Sequence, residues 1–203
     1  MELFLFIIFC YISGSIPFGL ILTKKFHGKD VRRIGSGNIG ATNVLRTGNK
    51  YLAALTLLLD VLKGYVPILI SQNYFSEFVQ LACVITFLGH VFPIWLKFNG
   101  GKGVATYLGI ITALSFQLCF LFIFTWVIVS LIFKYSSLSS IFSSLTVLVI
   151  NFLRELFVDS GIVSTSTHVT DSKILFIFFI LIIFTHKKNI SNLKNKIETK
   201  IKL

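Results

Sequence analysis

The stretch VATYLGIITALSFQLCFLFIFTWVIVSLIF, residues 104–133, contains no charged side chain, and its length decides how the whole chain is read. As one straight helix it would run about 45 Å at 1.5 Å per residue, well beyond a hydrocarbon core of about 30 Å. A turn near Ser115-Phe116-Gln117 resolves this by giving two short helices. Short helices imply tilt, local thinning of the bilayer or a shallow pocket. Further apolar runs cover Leu3–Leu22, Tyr51–Ile70, Phe78–Leu96, Leu138–Phe157 and Ile174–Thr185. They are apolar all round, whereas helices of a soluble protein show one apolar face. The composition agrees, with 55% hydrophobic residues, 22 Phe and a mean hydropathy of +0.85. These features predict an all-α, polytopic membrane bundle forming one integral-membrane domain over residues 1–203.

Charge sets the expected orientation. The segment 23–50 holds Lys24, Lys25, Lys29, Arg32, Arg33, Arg46 and Lys50, and the tail beyond Thr185 holds Lys187, Lys188, Lys194, Lys196, Lys200 and Lys202. Both belong on the cytoplasmic side by the positive-inside rule. The connections 71–77 and 159–171 carry acids and only Lys- and Arg-free sequence between them, which fits the outside. Splitting residues 104–133 gives seven transmembrane helices, with the N-terminus outside and the C-terminus cytoplasmic. The first run lacks a basic start and a small-residue cleavage site and ends on Pro17 and Gly19, so it is expected to remain as a span. The net charge of +11 is accounted for by this topology, and a nucleic-acid partner is not expected. Cys10, Cys83 and Cys119 lie in apolar runs without metal-ligand spacing and read as small hydrophobes.

Two glycine loops fall on the inner face. The first is Gly35-Ser36-Gly37-Asn38-Ile39-Gly40-Ala41-Thr42-Asn43-Val44-Leu45-Arg46, and the second is Gly100-Gly101-Lys102-Gly103. Glycines admit tight turns and expose N–H groups, while Ser, Asn, Lys and Arg hold anionic oxygens. The first loop matches G-x-G-x-x-G, but no strand precedes it, so a dinucleotide is not expected. The second lacks the full P-loop spacing, so neither is ATP. Phosphate recognition remains, with Arg46 able to hold an oxygen pair. Asp60 and Lys63 lie on one helix face within a span and are expected to form an ion pair. His90 and Pro93 are expected to shape a helix, and Trp95 to anchor at the interface. Ser136-Ser137-Leu138-Ser139-Ser140 is expected to cap a helix or line a pocket. His186 and Asn189, three apart, would share a helix face after the last span.

Taken together, these segments resemble the acyl-phosphate-dependent glycerol-3-phosphate acyltransferases, bacterial integral-membrane enzymes of phospholipid synthesis. The resemblance rests on Ser13 to Gly19, Gly35 to Arg46, Asp60 to Gly64, Gly89 to Thr106, Ser137 to Ser140 and His186 to Lys200, in one order along nearly the whole chain. It implies transfer of a fatty acyl group from acyl phosphate to the sn-1 hydroxyl of glycerol 3-phosphate, giving lysophosphatidic acid and phosphate at the cytoplasmic leaflet of the inner membrane. Neither acyl-CoA nor acyl carrier protein would be the donor. The resemblance carries catalytic roles to Ser36, Arg46, Lys102, His186 and Asn189. It carries substrate binding to Gly35, Gly37, Asn38, Asn43, Gly100, Gly101, Gly103, Ser137 and Glu198. Besides acyl phosphate, glycerol 3-phosphate and membrane lipid, it allows contact with the soluble phosphate acyltransferase that makes the donor. Asn192 stands where the family commonly has arginine, and Lys196 where it commonly has glycine.

The inventory of side chains fits this chemistry. There is no G-x-S-x-G nucleophile elbow and no His-x-x-x-x-Asp arrangement, so a covalent acyl-enzyme is not expected. Acyl phosphate is already activated, and the enzyme needs chiefly to hold two anions together and orient a hydroxyl. No His/Asp/Cys cluster has ligand spacing, so neither metal nor cofactor is expected. A small anion transporter would show repeated halves, which the two dissimilar glycine loops do not supply. A scaffold binding anionic lipid through its tail would not require the loops.

Overall fold

The computed structural model describes residues 1–161 and 170–201, and all regular structure among them is helical. Ten α-helices run in chain order: α1 (Glu2–Ser15), α2 (Phe18–His27), α3 (Ala41–Leu45), α4 (Lys50–Tyr74), α5 (Val79–Val91), α6 (Val104–Leu114), α7 (Phe116–Phe133), α8 (Ser136–Asp159), α9 (Ser172–Thr185) and α10 (Lys187–Lys194). Four helical stretches are long and apolar enough to cross a membrane, and up to six if each bent pair is one span. The expected turn in residues 104–133 falls at Ser115, which is extended at φ −161° and whose hydroxyl accepts from the Leu118 N–H. The chain forms two compact units, Met1–Ala113 and Leu114–Leu203.

In the first unit, the run expected as a single span over Leu3–Leu22 is broken. Proline lacks an N–H and collides with the preceding turn, so α1 ends at Ser15, and α2 resumes after Pro17 bent by 45°. The break exposes a carbonyl at Ile16. Lys63 of α4 donates to it at 2.6 Å, which a hydrocarbon setting demands of irregular backbone. Helices close up through glycine. A Cβ on Gly14 would run into the Thr86 carbonyl, one on Gly64 into that of Thr106, and one on Gly109 into that of Val61. Without a hydrophobic force between helices in lipid, such close approach supplies the packing. Beneath the first glycine loop lies an apolar plug of Leu20, Leu22, Val31, Ile39, Val44, Leu52 and Ala53, with Leu96 packed against it.

In the second unit, α8 packs on α7 and α9. The serine run lies within α8 and does not cap it. Tyr135 occupies the cap position without a side-chain cap bond, and the hydroxyls of Ser139, Ser140 and Ser143 donate to carbonyls one turn back at 2.9, 2.8 and 2.7 Å. Satisfied in this way, they form a narrow polar face that accepts the Trp126 indole N–H at Ser140, 3.2 Å. At the other end of α8, Asn151 donates to Thr170 and Ser172. Residues 162–169 of the connection expected outside lie beyond the described residues. Asp171 begins α9 by accepting from the Lys173 N–H at 2.8 Å. The basic tail folds as α10 after a 59° bend at His186.

Candidate active site

The first glycine loop is built around one side chain. Asn43 is 2% exposed, and its amide faces inward. Its Nδ2 donates to the carbonyls of Val31, Ile34 and Asn38 at 2.9, 2.9 and 2.7 Å. Its Oδ1 accepts from the Ser36 N–H at 3.0 Å and, more distantly, from Arg46 Nη1 at 3.5 Å. Sequence reasoning gave Asn43 substrate oxygens to hold, but its hydrogen bonds are committed to the loop itself. The Asn38 Oδ1 likewise turns back to the Gly40 N–H at 3.2 Å. Ser36 and Arg46 are therefore gathered at one place through Asn43. Gly35, at φ +53°, permits this. A Cβ there would lie 2.6 Å from Arg46 Cδ and 2.6 Å from Asn43 Oδ1.

The one acid of the segment 23–50 is paired locally. Asp30 caps the turn Val31–Arg33 and pairs with Arg32 Nη2 at 2.6 Å. The Arg32 hydrogen bonds hold the Asp30 carboxyl down at about 2, below the ordinary carboxylate range, and the pairing raises the Arg32 guanidinium in turn.

The second loop closes back on the end of α5. Lys97 and Phe98 both adopt left-handed backbone, φ 51° and 62°, which swings the chain round. The Gly100 N–H then donates to the Val91 carbonyl at 3.0 Å and the Gly101 N–H to that of His90 at 3.1 Å. In the first loop the Gly37 N–H is taken by Ile34 at 3.0 Å. The expectation that these amides cradle an anion is thus corrected at Gly37, Gly100 and Gly101, whose donors already have protein acceptors. What these glycines contribute is room. A Cβ on Gly101 would enter the His90 ring, and one on Gly103 the Phe87 ring. Lys102 stands half-buried between these two buried glycines, just before α6.

Behind this loop lies a buried ion pair. Lys63 Nζ is 2.7 Å from Asp60 Oδ1, with both side chains 3% exposed, and His90 Nδ1 is 4.0 Å from the same oxygen. Lys63 also lies over the Phe18 ring, 5.6 Å from its centre. The predicted pair is present, and its further partners, the Ile16 carbonyl at the break between α1 and α2, Phe18 of α2 and His90 of α5, were not legible from i,i+3 spacing.

The tail cluster belongs to the second unit. Glu198 Oε1 accepts from Ser137 Oγ at 2.9 Å and Asn189 Nδ2 at 2.6 Å, and Oε2 accepts from Asn192 Nδ2 at 3.2 Å. Lys196 holds φ 60°, the conformation for which glycine is the usual residue. The Ile201 N–H donates to the Lys134 carbonyl at 2.8 Å, fastening the end of the tail beside the start of α8. The carboxylate, expected to bind substrate, joins α8, α10 and the tail. His186 is 1% exposed. Its Nδ1 lies 2.8 Å from the Ile182 carbonyl. A carbonyl only accepts, so Nδ1 carries the proton, and Nε2 is the basic nitrogen of the neutral ring.

Comparison with known proteins gives this geometry a setting. The family model described as Glycerol-3-phosphate acyltransferase matches residues 4–196. The chain is 48% identical over 203 residues to a Glycerol-3-phosphate acyltransferase of Pelagibacter ubique, covering 100% of both chains. It is 46% identical to one from Mesorhizobium japonicum, covering 98% of this chain and 96% of the other. Among solved structures it resembles PlsY (YgiH), an integral membrane glycerol 3-phosphate acyltransferase, in its glycerol 3-phosphate form, with a TM-score of 0.87 and 32% identity over 100% of this chain and 96% of that one. The lysophosphatidic acid form of PlsY aligns with a TM-score of 0.85 over 98% and 95% of the two chains, again at 32% identity.

Proposed function

The chain belongs to the glycerol-3-phosphate acyltransferase family, integral-membrane acyltransferases of phospholipid synthesis, and from that premise we propose that acyl phosphate is its donor and the sn-1 hydroxyl of glycerol 3-phosphate its acceptor. The hydroxyl oxygen attacks the acyl carbonyl carbon, the bond from that carbon to the phosphate oxygen breaks, and lysophosphatidic acid and phosphate leave. The observation that carries this reading is the gathering of Ser36 and Arg46 through Asn43 in a loop whose acid, Asp30, is already paired. Arg46 and Lys102 hold the phosphates, and Ser36 orients an oxygen. Gly35, Gly37, Gly100, Gly101 and Gly103 give the two loops their shape, with Asn38 and Asn43 fixing the first. Cations placed near the reacting carbonyl also stabilise its tetrahedral oxyanion.

The hydroxyl proton passes to His186 Nε2 or to the departing phosphate. The tautomer set by Ile182 makes His186 competent for that role. Asn189, Ser137 and Glu198 position the segment that carries His186. The whole chain, 1–203, acts as one acyltransferase with seven spans, its N-terminus outside and its C-terminus in the cytoplasm. Acyl phosphate enters from the inner leaflet of a bacterial cytoplasmic membrane, supplied through contact with the soluble enzyme that makes it.

Purified protein in detergent, given acyl phosphate and labelled glycerol 3-phosphate, is expected to form lysophosphatidic acid without added metal. Formation from acyl-CoA but not acyl phosphate would overturn the donor assignment. A His186→Ala variant with near-normal turnover and a flat pH profile would leave the phosphate as the proton acceptor.

A further inference from the structure

His90 was expected only to shape a helix, and nothing in the proposed mechanism uses it. Yet its surroundings single it out. The side chain is 4% exposed, on the last turn of α5. Its backbone carbonyl accepts the Gly101 N–H at 3.1 Å, and a Cβ on Gly100 would strike that same carbonyl. A Cβ on Gly101 would lie 2.9 Å from the ring Cε1 and 3.0 Å from Cδ2, and closer still to Nε2. The ring therefore fills the space directly under the residue before Lys102. From behind, Nδ1 faces Asp60 Oδ1 at 4.0 Å, and Asp60 is fixed by Lys63, itself tied to the Ile16 carbonyl. The titratable groups facing the ring are thus Asp60 and Lys63, both from α4.

We propose that His90 is a positioning residue for Lys102: its ring is the seat on which Gly101 rests, backed by the Asp60–Lys63 pair. The proposal rests on Lys102 being a phosphate ligand in the reading above. Glycine at 101 is then required because of the imidazole beneath it. The two positions should behave as one steric unit, which an independent backbone requirement at Gly101 would not produce.

A double-mutant cycle tests this. Gly101→Ala pushes the lysine away from its seat, and a displacement of about 1 Å near a reacting centre costs on the order of a hundredfold in rate. His90→Ala removes the seat, and is expected to raise KM for the substrate whose phosphate Lys102 holds by about tenfold with a smaller change in kcat, as loss of binding common to ground and transition states does. The double variant is expected to recover at least tenfold over Gly101→Ala alone, because the added methyl then has the vacated ring space. Activity of the double variant equal to the product of the single effects would overturn the proposal. Should His90→Ala not fold, as judged by thermal unfolding, His90→Ser enters the same cycle with a small polar side chain. The labelling rate of Lys102 by an amine-acylating reagent, read by mass spectrometry, follows the lysine's placement without turnover. It is expected to change in each single variant and return toward wild type in the double. If wild-type protein yields no lysophosphatidic acid, the functional reading fails, while this labelling cycle still decides the seating.

Discussion

Replacing Asn43 isolates what the first glycine loop contributes. Its two N–H groups are shared among three carbonyls, and its oxygen accepts the Ser36 N–H, so about three net hydrogen bonds depend on it. At roughly 0.5–1.5 kcal/mol each, Asn43→Ala should loosen the loop by about 3 kcal/mol, an equilibrium factor on the order of a hundred. The global fold should persist, since Val31, Ile39 and Val44 still fill the plug and Gly37 still bonds Ile34. The expected outcome is a fall in kcat/KM of roughly a hundredfold, with little change in unfolding temperature and faster hydrogen exchange confined to the loop. Asn43→Asp sharpens the test. It keeps an acceptor for Ser36 but turns a second oxygen on the three carbonyls, so its activity should be no better than that of the alanine variant. Near-wild-type activity for Asn43→Asp, or a loss within twofold for Asn43→Ala, would refute the claim that this amide holds Ser36 and Arg46 in place.

Lys63→Met leaves Asp60 buried without its cation and should cost about 3–5 kcal/mol in thermal or denaturant unfolding, whereas Lys63→Met with Asp60→Leu should recover much of that loss. Glu198→Gln keeps one carbonyl oxygen for Ser137 and Asn189 but presents an amide to Asn192, so it should retain more activity than Glu198→Ala, which frees all three donors; equal activities would contradict the joining role. Asp30 is held at about 2, below its unfolded value, so its pairing supports the fold above the ordinary carboxylate range and that support is lost as pH falls through about 2. The stability difference between wild type and Asp30→Asn should therefore shrink on acidification, and a difference that grows instead would show the pairing is not the cause.

How much of this was legible depends on whether the governing partner was close in sequence. The break at Ser115 follows from length arithmetic, the side on which the Lys-rich tail must fall and the polar residues Ser115 and Gln117, because about 30 Å of hydrocarbon admits only so many residues. The break at Pro17 was missed, because apolar residues continue on both sides and hide the lost N–H within a single run. Asp60 and Lys63 could be paired from their i,i+3 spacing, but the third partner of Lys63 is a carbonyl 47 residues away. Asn43 was recognised as a polar loop residue, but an amide bonds to substrate or to backbone with equal chemistry, and only the fold shows which. The same holds for Gly37, Gly100 and Gly101. A pattern rich in glycine indicates a tight turn without revealing whether its donors point out or in. Asn192 and Lys196 looked like departures from the family pattern. In the structure the first joins the Glu198 cluster, and the second takes the left-handed backbone conformation a glycine would have supplied.

On the proposed reaction, with two anionic substrates, each acid left unpaired beside them would oppose a phosphate at close range. The acids within or beside the candidate loops and tail are each engaged by partners of their own unit. Asp30 is held by Arg32, Asp60 by Lys63, and Glu198 by Ser137, Asn189 and Asn192. They serve as internal joints of the fold. This arrangement explains why removing an acid should damage a phosphate enzyme instead of helping it. Freed of Asp60, Lys63 would lose its place on the Ile16 carbonyl. Freed of Glu198, α10 would lose its tie to α8. The carboxylates act through geometry and the cations through charge, and only the cations should show a loss of substrate affinity that deepens as ionic strength falls relative to wild type.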